Sequence, residues 1–257
     1  MKHLLALSLL LLLLGCQQDL PSEPENIVID IPIDFNIGMW ENLDEGQRSL
    51  SFLIETTKSS YCEEASISYS LDPDRNIVKF SLNSIEPESC EGSHTANSNI
   101  LIGALENQSY NLQINLKEEI INIGTLEVGS SHYTIKHMDN PLGFRLNETR
   151  LERVPENTIW GYVTYEESQT SNAVADFFNA LKIIATDREY NDGYYGHFNI
   201  EAGNQISFNH EIPGNYVEAF IYYYDGNNET IKTLLDAYRN NIDDLELKVF
   251  NHLGQEF

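Results

Sequence analysis

The tightest constraint on what this chain can fold into is a two-residue period in its first half. Tyr110-Asn111-Leu112-Gln113-Ile114-Asn115-Leu116 alternates apolar and polar side chains without a break, the pattern of a β-strand with one buried and one wet face. Arg48–Ile54 repeats it, with Leu50, Phe52 and Ile54 on one face. Ile67, Tyr69 and Leu71 alternate on one side of Asp72-Pro73-Asp74-Arg75-Asn76, and Val78, Phe80 and Leu82 on the other. That arrangement predicts a hairpin closed by a type I turn with Pro73 at its second position. Strand signals recur through residues 27–140 at roughly ten-residue spacing with no helical stretch, which predicts a β-sandwich of about seven or eight strands.

Residues 141–157 hold Pro141 and Pro155 among mixed charges and read as a linker. Over 158–257 the period changes. Ile159–Tyr165 reads as a strand, and Thr170 or Ser171 can cap a helix with Val174, Phe177, Phe178, Leu181 and Ile184 on one face. Short strands at Phe198–Ile200 and Ile206–Phe208 flank Ala202-Gly203-Asn204, and Tyr216–Tyr224 reads as a further strand. Asn228 is placed to cap a second helix through Ile231, Leu234, Leu235 and Tyr238, and Leu245–Phe250 is a last strand. The order β-α-β-β-α-β resembles the ferredoxin-like split βαβ arrangement. Leu105–Tyr110 (LENQSY) resembles the tyrosine-corner region of immunoglobulin-like and fibronectin-like domains. The expected fold is therefore mainly β with an α+β part: an N-terminal immunoglobulin-like β-sandwich, then a ferredoxin-like domain.

The leader carries an address. Lys2 and His3 precede an unbroken apolar run, Leu4 to Leu14, followed by Gly15 and Cys16. A cationic start, a short apolar stretch and a small residue before the cut describe a secretory signal peptide. The run is shorter than the roughly 20 residues needed to span hydrocarbon. Leu13-Leu14-Gly15-Cys16 resembles the bacterial lipobox, which implies removal of residues 1–15 and acylation of Cys16 as the first mature residue. Gln17, rather than Asp, follows Cys16; by resemblance to proteobacterial sorting signals this implies an outer-membrane destination, with the periplasmic or cell-surface face left open. Residues 16–26 form an acylated tether, of which QQDLPSEPEN could reach roughly 30 Å from the membrane at about 3.3 Å per residue. The acidic, Asn- and Ile-rich composition with this Pro- and Glu-containing tether is similar to that of small Bacteroidota surface lipoproteins.

Charge narrows the partners. The formal net charge is −25, and one unit more negative once Lys2 is removed. Nucleic-acid phosphates and anionic headgroups repel such a chain, so nucleic acid is excluded as a partner. Membrane attachment rests on the acyl chains of Cys16. Cys62 and Cys90 bracket the predicted hairpin, and export places them where disulfides persist; a bridge there would staple its open end.

Motifs for catalysis are missing. The sequence has no G-x-S-x-G, P-loop, G-x-G-x-x-G or H-E-x-x-H, and no catalytic residue, cofactor or metal is assigned. His210-Glu211 starts like a zinc-protease motif, but Pro213 breaks the helix it needs. His197 and His210 flank one predicted hairpin, yet pairing even with even positions on the core turns His197 outward and His210 inward or out of the sheet. Asp72-x-Asp74-x-Asn76 has calcium-loop spacing but Ile77 where glycine is required and Asn83 at the twelfth position. Ser130, Ser131, His132 and His137 sit around a surface strand and have no signature that would orient a nucleophile.

One segment is set apart by composition. The 43 residues between Arg188 and Lys232 hold no lysine or arginine, but 7 of the chain's 14 tyrosines, seven asparagines and five glycines. Tyr, Asn and Gly together suit binding surfaces. Tyr190-Asn191-Asp192-Gly193-Tyr194-Tyr195-Gly196 follows a helix and precedes a strand, so an exposed loop is expected, with Tyr190, Asp192, Tyr194 and Tyr195 as ligand-binding candidates. A protein or a glycan could be the ligand; the chain's two tryptophans, Trp40 and Trp160, lie outside the segment. The expected function is a non-catalytic binding or assembly module of the cell envelope. The alternatives are a glycan-directed hydrolase, which needs two carboxylates about 5–9 Å apart, or a structural spacer.

Overall fold

The computed structural model describes residues 32–44, 48–74, 76–87, 89–117, 119–242 and 244–257. The leader, Cys16, the tether and Arg75 lie outside the described residues. Among the described residues the fold is mainly β, with two α-helices and a large curled mixed sheet.

The alternating segments form the strands. β1 (Phe35–Asn42), β2 (Ser49–Thr56), β3 (Ser66–Asp74), β4 (Ile77–Glu86), β5 (Asn97–Gly103), β6 (Ser109–Leu116), β7 (Ile120–Val128), β8 (His132–Lys136), β9 (Phe144–Leu146) and β10 (Arg150–Glu152) join one ten-stranded sheet in the order β10-β8-β7-β6-β4-β3-β5-β2-β1-β9. Where sequence periodicity suggested two facing sheets, one ladder runs throughout. Its end strands β9 and β10 are separated in the chain only by Asn147, Glu148 and Thr149, so the two edges come together and the sheet rolls up. Residues 141–157 are thus built into the sheet as its closing stave, although their composition resembles a linker.

The inner face is the apolar parity of each strand. Leu50, Phe52 and Ile54 from β2, Phe80 and Leu82 from β4, and Tyr110, Leu112 and Ile114 from β6 are buried in one core, each large aliphatic or aromatic side chain contributing about 1.5–3 kcal/mol. Glu41 of β1 is fully buried at the closure. Its carboxylate accepts from Arg153 Nε at 2.7 Å and from the Tyr133 hydroxyl at 3.2 Å, and Arg48 Nη1 lies 3.6 Å away. This buried cluster ties β1 to the segment after β10.

The hairpin is tighter than expected. Asp74 pairs with Ile77 and Pro73 with Val78, so β3 runs through the proline as far as Asp74 and β4 starts at Ile77. Proline is tolerated because β3 meets β5 only at Ser66↔Asn97, leaving an edge with no donor to supply there. For the same reason Tyr69 and Leu71, although opposite Leu82 and Phe80, remain 42% and 38% exposed. Cys62 and Cys90 form a disulfide at the base of this hairpin.

In the second part β11 (Thr158–Tyr165) lies between β15 (Tyr216–Tyr223) and β16 (Leu245–Asn251), antiparallel to both. β15 and β16 are therefore parallel, joined by the crossover helix α2 (Asn228–Arg239). The other helix, α1 (Ser171–Ile184), follows β11. Val174, Phe177 and Leu181 of α1 and Ile231 and Leu235 of α2 pack on Ile159 and Val163 of β11. The α2 cap is Asn227, one residue earlier than expected, its side chain accepting from the Glu229 N–H. Thr170 precedes α1 without capping it; its hydroxyl donates to Asp244. After α1, Thr186 makes a single bridge to Tyr223. β12 (Gly193–Tyr194), β13 (Asn199–Glu201) and β14 (Gln205–Ser207) form a small separate sheet.

These parts share an interior. Val154, Trp160, Tyr190, Tyr195, Phe198, Ile200 and Ile221 form a third buried cluster, against which Leu43 of the rolled sheet's side packs. Pro32–Phe257 is one compact unit.

Candidate functional site

Strand parity assembles the site. Along β1, Met39 and Glu41 turn into the rolled sheet, so Trp40 between them points out. Along β11, Ile159 and Val163 face the helices, which leaves Trp160 and Tyr162 on the opposite face, beside Phe250 of β16, the cross-strand partner of Trp160. The segment 193–210 folds over that face and brings His197 between the two tryptophans: its ring centroid is 4.2 Å from that of Trp40 and 5.6 Å from that of Trp160. Trp160 also stacks on Phe250 at 4.6 Å, and Phe208 meets Tyr162 edge-on at 5.4 Å. A cavity of about 370 Å³ opens among these rings, within the size range of small-molecule sites.

Glycine makes the approach possible. Gly196 has φ +80°, and a Cβ there would lie 3.3 Å from the Trp40 ring, so the close approach to the indole favours a residue without a side chain. His197 Nε2 is 3.0 Å from the Glu41 carbonyl oxygen, so that nitrogen carries the proton and donates. Burial lowers the His197 pKa, which keeps the ring neutral at neutral pH. Burial chiefly raises the Tyr162 pKa, aided by Glu246. Among the described residues no carboxylate, lysine or arginine lines the cavity. The Trp160 indole Nε1 is buried without a hydrogen-bond partner among the described residues.

The tyrosine-rich segment is placed differently from expectation. Tyr195 is 1% exposed and stacked on Phe198, its hydroxyl donating to the Asn191 carbonyl, and Tyr190 is 9% exposed. Asp192 alone of the four candidates is fully at the surface, while Tyr194 is half-buried against the rolled-sheet core. An exposed loop was expected because nothing in the local sequence shows that Val154 and Trp160 cover it. Tyr190 and Tyr195 line a polar cleft of about 530 Å³ with Arg48, Arg153 and Arg188. Two of those guanidiniums are already engaged, Arg48 with the Val154 and His252 carbonyls and Arg153 with Glu41 and the Gly129 carbonyl.

His197 and His210 do line one cavity. The expected even-to-even register holds, with Ile200 opposite Ile206. But both histidines lie outside β13 and β14, where strand parity no longer fixes direction. Among the described residues no group of three or more His, Cys, Asp or Glu is placed to hold a metal. Ser131 Oγ and His132 Nδ1 are 3.1 Å apart in an exposed local contact.

The tryptophans were the residues that sequence reasoning passed over. Their available signal was positional: each sits at the outward parity of a strong strand, where a large aromatic has no core of its own strand to enter. No family model, curated protein or solved structure matches this chain, so its function rests on the geometry above.

Proposed function

We propose that this chain is an acylated outer-membrane lipoprotein that acts as a non-catalytic binding module, with the Trp40–Trp160 cavity as its ligand seat. The observation that carries the binding reading is the convergence of both tryptophans, from β1 and β11, on one cavity that no Asp, Glu, Lys or Arg lines among the described residues. A cavity with aromatic walls and few polar groups is the ordinary form of a ligand site. The envelope reading rests on the Lys2–Cys16 leader, and the Cys62–Cys90 disulfide suits an exported chain.

The finer architecture is our reading as well. An immunoglobulin-like first part is supported by Tyr110, whose hydroxyl accepts from the Glu106 N–H and bonds the Glu106 carbonyl. A ferredoxin-like second part is supported by the β15-α2-β16 crossover around β11, with Thr186 bridging β15 where a fourth strand would lie.

Because the only tryptophans in the sequence are these two, intrinsic fluorescence reports on this cavity alone. Titration with fractionated envelope material is expected to shift the emission saturably in the wild type and much less in Trp40→Leu. Emission indifferent to every fraction would sink the binding reading. For the address, the wild type is expected in the outer-membrane fraction and Cys16→Ala outside it; a Cys16→Ala protein that stays membrane-bound would overturn acylation as the anchor. Protease shaving of intact cells then decides which face it occupies.

A further inference from the structure

We infer that the aromatic cavity takes a small quaternary ammonium cation; this deepens the binding reading and rests on it. The argument is electrostatic. Indole, phenol and phenyl rings carry negative faces, and several of them around one space attract a cation without needing a hydrogen bond. Here Trp40, Trp160, Tyr162, Phe208 and Phe250 contribute rings at tilts from 24° to 78° to their neighbours, which makes a box in place of a flat platform.

The polar equipment fits a cation better than a polyhydroxylated ligand. Asn209 is occupied, donating to the Gly196 carbonyl and accepting from Asn199. His197 is occupied at Nε2 by the Glu41 carbonyl. Among the described residues, His210, the Tyr162 hydroxyl and the indole N–H groups of Trp40 and Trp160 are the cavity groups without a hydrogen bond; the last three are donors lying in the planes of their rings, which leaves the ring faces to a cation.

The charge of the whole chain points the same way, although the pairs beside the cavity offset one another. At the Tyr162 rim, Lys248 lies 2.9 Å from Glu256 and 4.0 Å from Glu246, leaving one negative charge in excess. On the Trp40 side, Arg48 and Arg153 share the single buried carboxylate of Glu41, which leaves one positive charge in excess there. The hairpin segment that covers the cavity belongs to the stretch without lysine or arginine, and the whole chain carries −25. Such a field concentrates cations and repels anions. Burial also keeps His197 from competing as a resident positive charge.

The test uses choline and its uncharged isostere 3,3-dimethylbutan-1-ol, titrated against the full chain in a non-ionic detergent with tryptophan emission as readout. Choline is expected to bind at least tenfold more tightly than the isostere, and the difference to shrink as salt is raised. Trp40→Leu is expected to weaken choline at least tenfold and Trp40→Phe much less, since phenyl keeps a ring face; circular dichroism checks that both fold, and Phe208→Leu serves as a second variant. Phosphocholine separates the two sources of the same chemistry: choline ahead of phosphocholine identifies a free cation, and the reverse identifies a lipid headgroup. Equal affinity for choline and the isostere overturns the cation while leaving a binding cavity. No saturable response to choline, with envelope fractions still shifting the emission, overturns the cation alone. Silence towards both removes the cavity as a site altogether.

Discussion

At the scale of single residues, Glu41 is the most consequential side chain. It is wholly buried, and two guanidiniums and a phenol converge on it. Removing one partner of a buried ion cluster leaves the others uncompensated, a cost of about 3–5 kcal/mol. Glu41→Gln is therefore expected to lower unfolding stability by that amount in urea titration; a loss below about 1 kcal/mol would show that water or a neighbouring group already neutralises the arginines. His197 supplies a pH dependence. Its pKa is lowered by burial, so below about pH 6.5 the unfolded chain binds a proton that the folded one resists, and stability falls as pH drops through that window. His252 is lowered by burial too and acts in the same direction. The urea midpoint is expected to fall between pH 7.5 and pH 5.5, and to fall less in His197→Gln; identical falls would place the effect elsewhere.

At the scale of elements, the disulfide is the strongest local prediction. Cys62 and Cys90 close a loop of 28 residues in sequence separation, for which the chain-entropy model gives about 3–4 kcal/mol. Cys62→Ala with Cys90→Ala is expected to lose about that much, read by urea unfolding against the oxidised wild type. Legibility also divides by element. β2 and β6 were plain in the sequence because apolar side chains recur at every second position of each, and the period survives in the residues even though Ser51 and Asn115 on the other parity are buried. The hairpin was legible except at Pro73, where an unpaired edge admits a residue that ordinarily marks a turn. α1 and α2 were legible from their stripes, and their caps were displaced by one residue or left unmade because Asp244 claims the Thr170 hydroxyl. β9 and β10 were invisible: three residues each is too short to show any period. The candidate cavity was illegible for a related reason, since its walls come from distant strands and from His197 and His210, which lie just beyond the reach of strand parity.

At the scale of the whole molecule, the excess of acids sets the behaviour. Forty Asp and Glu against fifteen Lys and Arg make the compact state repel itself. Added salt screens that repulsion, so the Tm is expected to rise by a few degrees between low and physiological ionic strength; a flat or falling Tm in calorimetry would show that the ion pairs at Glu41 and Lys248 dominate instead. The rolled sheet, for its part, imposes an order of events on a chain delivered from its N-terminus. β1 must wait for the stave at 144–152 before its edge is covered, and Trp40 waits longer still, for Phe250 of β16 to complete the cavity they line. A chain stopped short of β16 could close its rolled sheet and bury Glu41, yet it would have no seat. In this protein the site reports that β16 has been made.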